Sequence, residues 1–194
     1  MRVSDGARWI FGYGSLVWRP AFHHEERAPA AISGWARRFW QGSPDHRGVP
    51  GAPGRVVTLV AEPGARCGGV AYRVAAGHWP EVLRALDLRE SGGFERLRLP
   101  LHFAEPDRGP AEALVYVAGP GNPNYLGPAP AAEIARQVGA SAGKSGPNAE
   151  YVLRLDVSLR ALGASDAHVA EIAALLRSRG YVSGPPSTEP STEE

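Results

Sequence analysis

Clusters of glycine and proline divide the first two-thirds of the chain into short apolar segments, and this pattern most restricts the possible folds. Six segments are rich in aromatic or β-branched residues and resemble strands, at 8–17, 34–40, 55–60, 69–74, 97–103 and 113–117. Long turn-rich links at 41–54 and 118–130 separate some of them. Many short strands joined in this way predict a small barrel or a strongly curved mixed sheet.

Helical patterns are fewer, and most of them follow the strands. They cover 80–90, 131–138, 148–161 and 167–179. The first has a proline in its first turn and ends before Ser91-Gly92-Gly93, which are ordinary start and stop signals. We therefore expect one α+β domain over residues 1–182. The segment 183–194, rich in Pro, Ser, Thr and Glu, is predicted to be a disordered tail.

Composition excludes several classes of function. The 21 basic and 20 acidic residues give a net charge of +1, which favours binding to neither nucleic acid nor an anionic membrane. Cys67 is the only cysteine, so an intramolecular disulfide and a cysteine-based metal cluster are excluded. No apolar run approaches the ~20 residues of a membrane-spanning helix. We expect a soluble cytoplasmic protein, and the sequence leaves its oligomeric state open.

A turn bounded by two glycines is the first candidate for a binding site. The segment FGYGSL at 11–16 places Gly12 and Gly14 at the end of an apolar strand. Such a turn can direct successive amide N–H groups into one concavity, which binds a carboxylate or a developing oxyanion. The alternative is a β-bulge or a bend at a barrel corner. The segment lacks the lysine of a phosphate-binding P-loop and the third glycine of a dinucleotide-binding fingerprint.

Glu90 is the second candidate, because it continues a buried helical stripe. In the helix 80–90 it lies four residues after Leu86 and seven after Leu83. Burial and the helix C-terminus would both raise its pKa. A carboxyl group with a raised pKa suits proton transfer near neutral pH. The alternative is an ion pair with Arg73 or Arg89.

Two loops carry further candidate contacts. The link 41–55 holds Asp45, His46, Arg47 and Arg55, and its length and its arginines suit a carboxylate-bearing substrate. The alternative is a charged surface loop. Tyr125, in the rigid loop 122–128, either closes a pocket or covers the core.

The sequence gives little support for a metal site or for a serine nucleophile. His23-His24 precedes Glu25-Glu26, but no further histidine or cysteine lies at a metal-ligand spacing. A triad of Ser15, His46 and an aspartate lacks the G-x-S-x-G elbow that would expose the serine. We therefore expect no metal and no cofactor.

Five pieces of the chain, taken together and in this order, resemble the ChaC-like glutathione-specific γ-glutamylcyclotransferases. They are FGYGSLVW at 11–18, RRFWQGSPDHRGVPGAPGRVVTLV at 37–60, GVAYRV at 69–74, LDLRESGGF at 86–94 and NPNYLGPAP at 122–130. The first piece alone also fits the wider cyclotransferase superfamily, whereas the set is specific. Phe94 departs from the pattern, since relatives commonly carry tyrosine there, and this puts in doubt any role for a hydroxyl at that position.

The resemblance implies a γ-glutamylcyclotransferase-like fold, a small mixed β-barrel flanked by helices. It implies that Glu90 is the proton acceptor and that Arg47 and Arg55, in the loop 41–55, help to select glutathione. We add Tyr125 as a predicted substrate contact. The substrate-binding loop would comprise Ile10, Phe11, Gly12, Tyr13, Gly14 and Ser15, closed by Leu16. The implied reaction releases 5-oxoproline and cysteinylglycine without a cofactor.

Two rival functions share the same residues. The first is a cyclotransferase acting on other γ-glutamyl amino acids or amines, and the match over 37–60 argues against it. The second is a non-catalytic module that binds γ-glutamyl compounds. A pure binder has no need of a buried base, so Glu90 argues against the second rival.

Overall fold

A closed five-stranded barrel forms the centre of the molecule. The structure is a computed structural model that describes residues 8–90, 92–105 and 107–182. The barrel order is β1-β3-β2-β4-β5, in which β1 and β5 pair in parallel and the other pairs are antiparallel. The strands are β1 (Arg8–Gly12), β2 (Glu26–Ser43), β3 (Gly54–Val74), β4 (Glu95–Phe103) and β5 (Ala111–Val117).

Four helices flank the barrel, which confirms the predicted α+β class. They are α1 (Trp79–Arg89), α2 (Ala131–Ala140), α3 (Asn148–Ala161) and α4 (Ala167–Ser178). A two-stranded ribbon, β6 (Ala142–Gly143) with β7 (Gly146–Pro147), joins α2 to α3. Each helix lies within two residues of its predicted bounds. The predicted tail, 183–194, lies outside the described residues.

The predicted strand 8–17 is wrong beyond Gly12. The chain leaves the sheet there, and Ser15–Val17 forms a single 3₁₀ turn. Close packing explains the position of the break, since a Cβ built on Gly12 would lie 2.6 Å from the Cβ of Leu16. Only glycine lets the strand fold back so tightly on the turn that follows it.

The predicted strands 34–40, 55–60 and 69–74 are parts of two much longer strands. β2 and β3 pair along most of their length, with register shifts between Ser33 and Trp35 and between Arg38 and Gln41. β3 continues through Pro63-Gly64, where Gly64 takes a φ of 85°, and pairing with β2 resumes beyond this irregularity. The link predicted at 41–55 is correspondingly shorter.

Two hydrophobic clusters hold the turn between β1 and β2. The larger fills the barrel and the space under α2–α4, and it includes Tyr13 and Val17. The smaller lies under α1 and includes Ile10 and Leu16. Successive residues around the turn are therefore anchored in different clusters, which fixes its position relative to α1.

Candidate active site

The peptide unit between Tyr13 and Gly14 is oriented by a buried arginine. Arg37, on β2, donates from Nε to the carbonyl oxygen of Tyr13 at 2.8 Å. The peptide is trans, so the N–H of Gly14 points away from Arg37. Within the described residues, the amides of Gly14, Ser15 and Leu16 donate no backbone hydrogen bond. The turn therefore holds three adjacent amides that donate to no backbone acceptor, and the anion-binding concavity stays a prediction.

Arg37 is itself held firmly. Its side chain is fully buried, and Nη1 donates to Asp166 Oδ2 at 2.9 Å while Nη2 donates to the carbonyl of Gly68. Asp166 also caps α4 by accepting from the amide of Val169 at 3.1 Å. Arg37 thus joins the turn to β3 and to the start of α4.

Glu90 lies at the C-terminal end of α1, with its backbone amide donating to the carbonyl of Leu86 at 2.8 Å. Its side chain is 19% exposed. Burial raises the pKa of its carboxyl, Arg89 opposes that rise, and the charge of Asp45 adds to it. The predicted burial and raised pKa are both present, although the helix also places the carboxyl beside a positive charge.

Arg89 links Glu90 to the turn. Its Nε lies 3.6 Å from Glu90 Oε1, and its Nη2 donates to Ser15 Oγ at 2.7 Å. The ion pair that the sequence left open therefore forms with Arg89, whereas Arg73 pairs with Glu25 and Glu26. Arg89 therefore contacts both the carboxyl of Glu90 and the hydroxyl of Ser15 in the turn.

Two tyrosines complete this site, and Glu90 influences both. Burial raises the pKa of Tyr13, and the charge of Glu90 adds to the effect. Burial raises the pKa of Tyr151, on α3, to about 12, again with a contribution from Glu90. A Cβ built on Gly14 would lie 2.9 Å from the hydroxyl of Tyr151, so Gly14 leaves room for that phenol. Both phenols remain neutral at physiological pH.

The other residues predicted to contact substrate differ in their positions relative to this site. The side chains of Ile10 and Phe11 are buried in the two hydrophobic clusters, so any contact with substrate there is made by the backbone. Arg47 packs over the ring of Tyr151 at 5.6 Å and donates to the carbonyl of Pro147 at 2.9 Å. Arg47 therefore lies against a residue of the site. Tyr125 is half-buried and forms an isolated β-bridge with Gln41.

The contacts of Arg55 favour a structural role over substrate binding. Its Nε donates to Gln137 Oε1 at 2.7 Å, and its Nη1 donates to the carbonyls of Phe39 and Gly127 at 2.9 and 3.1 Å. These bonds join β2, the loop before α2, and α2 itself. The substrate contact predicted for Arg55 lacks support from this geometry.

Sequence reasoning missed Arg37, Tyr151 and the bridging position of Arg89. Arg37 and Tyr151 are ordinary residues of a strand and a helix, and their partners lie far away along the chain. The only signal in the sequence is that the RRFW piece at 37–40 contains an arginine in an otherwise strand-like segment.

The described residues carry few features of metal or membrane chemistry. Across 8–90, 92–105 and 107–182, no three His, Cys, Asp or Glu side chains lie together in a way that could hold a metal ion. None of the helices in this part of the chain is long and apolar enough to cross a membrane. Ser15 and His46 do not pair, since Ser15 Oγ accepts from Arg89 and His46 Nδ1 lies 2.8 Å from Ser145 Oγ.

Comparisons with known proteins identify the family. Residues 8–179 match the family model for ChaC-like protein. Human glutathione-specific γ-glutamylcyclotransferase 1 is 45% identical over 170 residues, which cover 86% of this chain and 77% of that protein. The glutathione-specific γ-glutamylcyclotransferase of Schizosaccharomyces pombe is 34% identical, over 89% of this chain and 94% of its own.

Solved structures of similar proteins share the fold of this chain. A yeast γ-glutamylcyclotransferase specific to glutathione superimposes with a TM-score of 0.81 and 27% identity, over 91% of this chain and 100% of that one. A structure titled γ-glutamyl cyclotransferase, at 16% identity and a TM-score of 0.52, shares the fold. With its barrel, its glycine-bounded turn and a family match over most of its length, the chain belongs to the ChaC-like protein family.

Proposed function

We propose that this protein is a γ-glutamylcyclotransferase that cleaves glutathione to 5-oxoproline and cysteinylglycine. One observation carries the proposal: Arg89 links a carboxyl group with a raised pKa to Ser15, in a turn whose amides donate no backbone hydrogen bond. The human and fission yeast relatives named above are glutathione-specific cyclotransferases, which supports glutathione as the substrate here.

The proposed reaction starts with a proton transfer to Glu90. A γ-glutamyl amide carries its own nucleophile, the α-amine, which is an ammonium at neutral pH and cannot attack. Glu90 takes one proton, and the freed amine attacks the γ-carbonyl carbon to close a five-membered ring. The C–N bond to cysteine then breaks as Glu90 returns its proton to the leaving nitrogen. The ring nitrogen releases its second proton, which the freed amine of cysteinylglycine takes up to become an ammonium. A raised pKa suits both steps, because the same group must accept and then donate.

The turn would stabilise the charge that develops on the γ-carbonyl oxygen. The amides of Gly14, Ser15 and Leu16 are fixed and unpaired before substrate arrives, and losing one such donor typically costs about 100- to 1000-fold in rate. The rest of the site holds a flexible substrate in the cyclising conformation. Arg47 lies against Tyr151, and its Nη1 is 3.6 Å from Glu150 Oε2; we assign its positive charge to a substrate carboxylate.

The compartment and partners follow from the substrate. Glutathione is abundant where thiols are kept reduced, and the single cysteine, Cys67, is a buried free thiol. We therefore place the protein in the cytoplasm, acting on a small molecule without a nucleic-acid or membrane partner.

A substrate panel tests the proposed function. Glutathione, γ-glutamyl-alanine and a γ-glutamylamine are each incubated with the protein, and 5-oxoproline is measured. We expect release from glutathione at a kcat/KM at least tenfold above the others. Comparable rates on γ-glutamyl-alanine would favour the broader cyclotransferase, and binding of glutathione without any release would favour the non-catalytic module.

The pH dependence of kcat/KM should report the environment of Glu90. The free enzyme needs Glu90 ionised, so the rate falls as pH drops through its pKa. Burial raises that pKa, which places the acid limb above the ~4.3 of an ordinary glutamate. Because Arg89 lowers the pKa, Arg89→Met should move the limb to higher pH, whereas Arg89→Lys should move it less.

The pH at which kcat/KM falls on the acid side distinguishes the electrostatic effect of Arg89 on Glu90 from its structural contact with Ser15. Loss of the bond to Ser15 lowers the rate at every pH and leaves the limb where it was. An acid limb that stays in place in Arg89→Met would show that another group titrates.

A further inference from the structure

The side-chain oxygen of Gln41 is a buried acceptor without a donor. Gln41 is 1% exposed, and its Oε1 has no hydrogen-bond partner among the described residues. Trp40 Nε1 is the other buried side-chain polar atom of which this is true. Buried polar groups are nearly always paired, since leaving one unpaired costs about 1–3 kcal/mol. An exception of this kind calls for a ligand or another explanation.

The orientation of the Gln41 amide is fixed by its neighbours. Asn122 Oδ1 accepts from the backbone amide of Asn124 at 2.8 Å, and Asn122 Nδ2 donates to the carbonyl of Gly92 at 2.7 Å. The oxygen of Asn122 is thereby identified, and Gln41 Nε2 donates to it at 3.0 Å. Rotating the Gln41 amide would set two oxygens against each other. Its own oxygen therefore faces away from this network.

Strand pairing and hydrogen bonds lead from Gln41 towards both parts of the candidate site. It pairs with Val56 across the β2–β3 ladder, so it shares a face of the sheet with Thr58, two residues further on. The Thr58 side chain interacts with the phenol of Tyr13. On its other side Gln41 is tied through Asn122 to Gly92, two residues after Glu90. The Gln41 amide is therefore linked to the segment after Glu90 through Asn122, and it shares a sheet face with the threonine that contacts the Tyr13 phenol.

We propose that Gln41 Oε1 accepts a hydrogen bond from the α-ammonium of the γ-glutamyl substrate, an inference that rests on the proposed function. The ammonium has three N–H groups and gives one proton to Glu90. A neutral amide oxygen can bind a second N–H without competing for the proton that must leave. With that N–H held, the nitrogen lone pair exposed by deprotonation is directed at the γ-carbonyl. Gln41 is thus a substrate-binding residue that orients the nucleophile.

A comparison of two ligands tests this contact. One is glutathione, and the other is N-glutaryl-cysteinylglycine, which lacks the α-amine and serves as a competitive inhibitor. In Gln41→Met we expect kcat/KM for glutathione to fall about 10- to 100-fold, as for a hydrogen bond to a charged group. The Ki of the glutaryl compound should stay within about twofold of the wild-type value.

Other outcomes overturn the inference. If Ki rises in step with the loss of kcat/KM, Gln41 supports the site only through its shape. If kcat/KM is unchanged, the substrate does not use this acceptor. Failure of the wild-type protein to release 5-oxoproline would instead reject the proposed function, and this inference with it.

A second measurement guards against loss of folding. Gln41→Met removes the two hydrogen bonds that Nε2 donates, to Asn122 Oδ1 and to the carbonyl of Gly42, together with one unpaired acceptor. Its melting temperature should therefore fall by no more than about 5 °C. A folded Gln41→Met protein whose kcat/KM falls by less than about threefold would contradict the assigned contact.

Discussion

Replacing Glu90 with glutamine should lower release of 5-oxoproline by about 100- to 10,000-fold, the range that a positioned acid–base group contributes. The amide has the size and shape of the carboxyl but cannot take the proton from the α-ammonium. Glutathione should still bind, which calorimetry can show. The melting temperature should not fall, because the variant removes a charge whose ionised form burial disfavours.

Glu81→Gln is the matched control for this prediction. Glu81 is an exposed carboxylate in the first turn of the same helix, so its replacement should leave turnover within about twofold and the fold unchanged. Near-normal turnover by Glu90→Gln would remove Glu90 as the base. Equal losses in both variants would indicate damage to α1 rather than loss of a proton acceptor.

Replacing Arg37 with methionine should destabilise the protein by about 3–5 kcal/mol, the usual cost of removing one partner from a buried ion pair. Methionine fills much of the space but leaves Asp166 and the carbonyls of Tyr13 and Gly68 without their donor. Denaturation with urea measures the change in the free energy of unfolding. Turnover by the fraction that stays folded should also fall, because the Tyr13–Gly14 peptide is then free to rotate.

Arg38→Met provides the comparison for Arg37. Arg38 is the next residue on β2, and its partner Glu62 is 49% exposed. Exposed pairs of this kind contribute about 0–1 kcal/mol, so the unfolding free energy should change little. Similar losses in the two variants would mean that the buried network around Arg37 contributes no more than a surface ion pair.

The sequence predicts the fold well because its signals are local. Turn residues separate strand-like segments, and the helix signals place all four helices within two residues of their observed bounds. The errors fall where packing overrides a local signal. The segments 55–60 and 69–74 are predicted as two strands, but pairing with β2 joins them in the single strand β3. The 8–17 segment reads as one strand, but contact between Gly12 and Leu16 ends it early.

The candidate site is only partly visible in the sequence, for a physical reason. Glu90 stands out because a carboxylate breaks the apolar pattern of its own helix. Arg37 does not stand out, since its role depends on Asp166, 129 residues away. The orientation of the Gln41 amide likewise depends on a hydrogen bond to Asn122, which is 81 residues away along the chain. The substrate contact of Arg55 stays a prediction, and its hydrogen bonds to the carbonyls of Phe39 and Gly127 favour a structural role.

The anchoring of the Tyr13 turn in two hydrophobic clusters has a consequence for turnover. Ile10 and Leu16 are held on one side, and Tyr13 and Val17 on the other, so folding itself orders the amides between them. The conformational entropy of the turn is therefore lost when the chain folds, and it is not lost again each time substrate binds. Each glutathione molecule then meets a rigid surface, and its binding energy remains for bending the substrate itself.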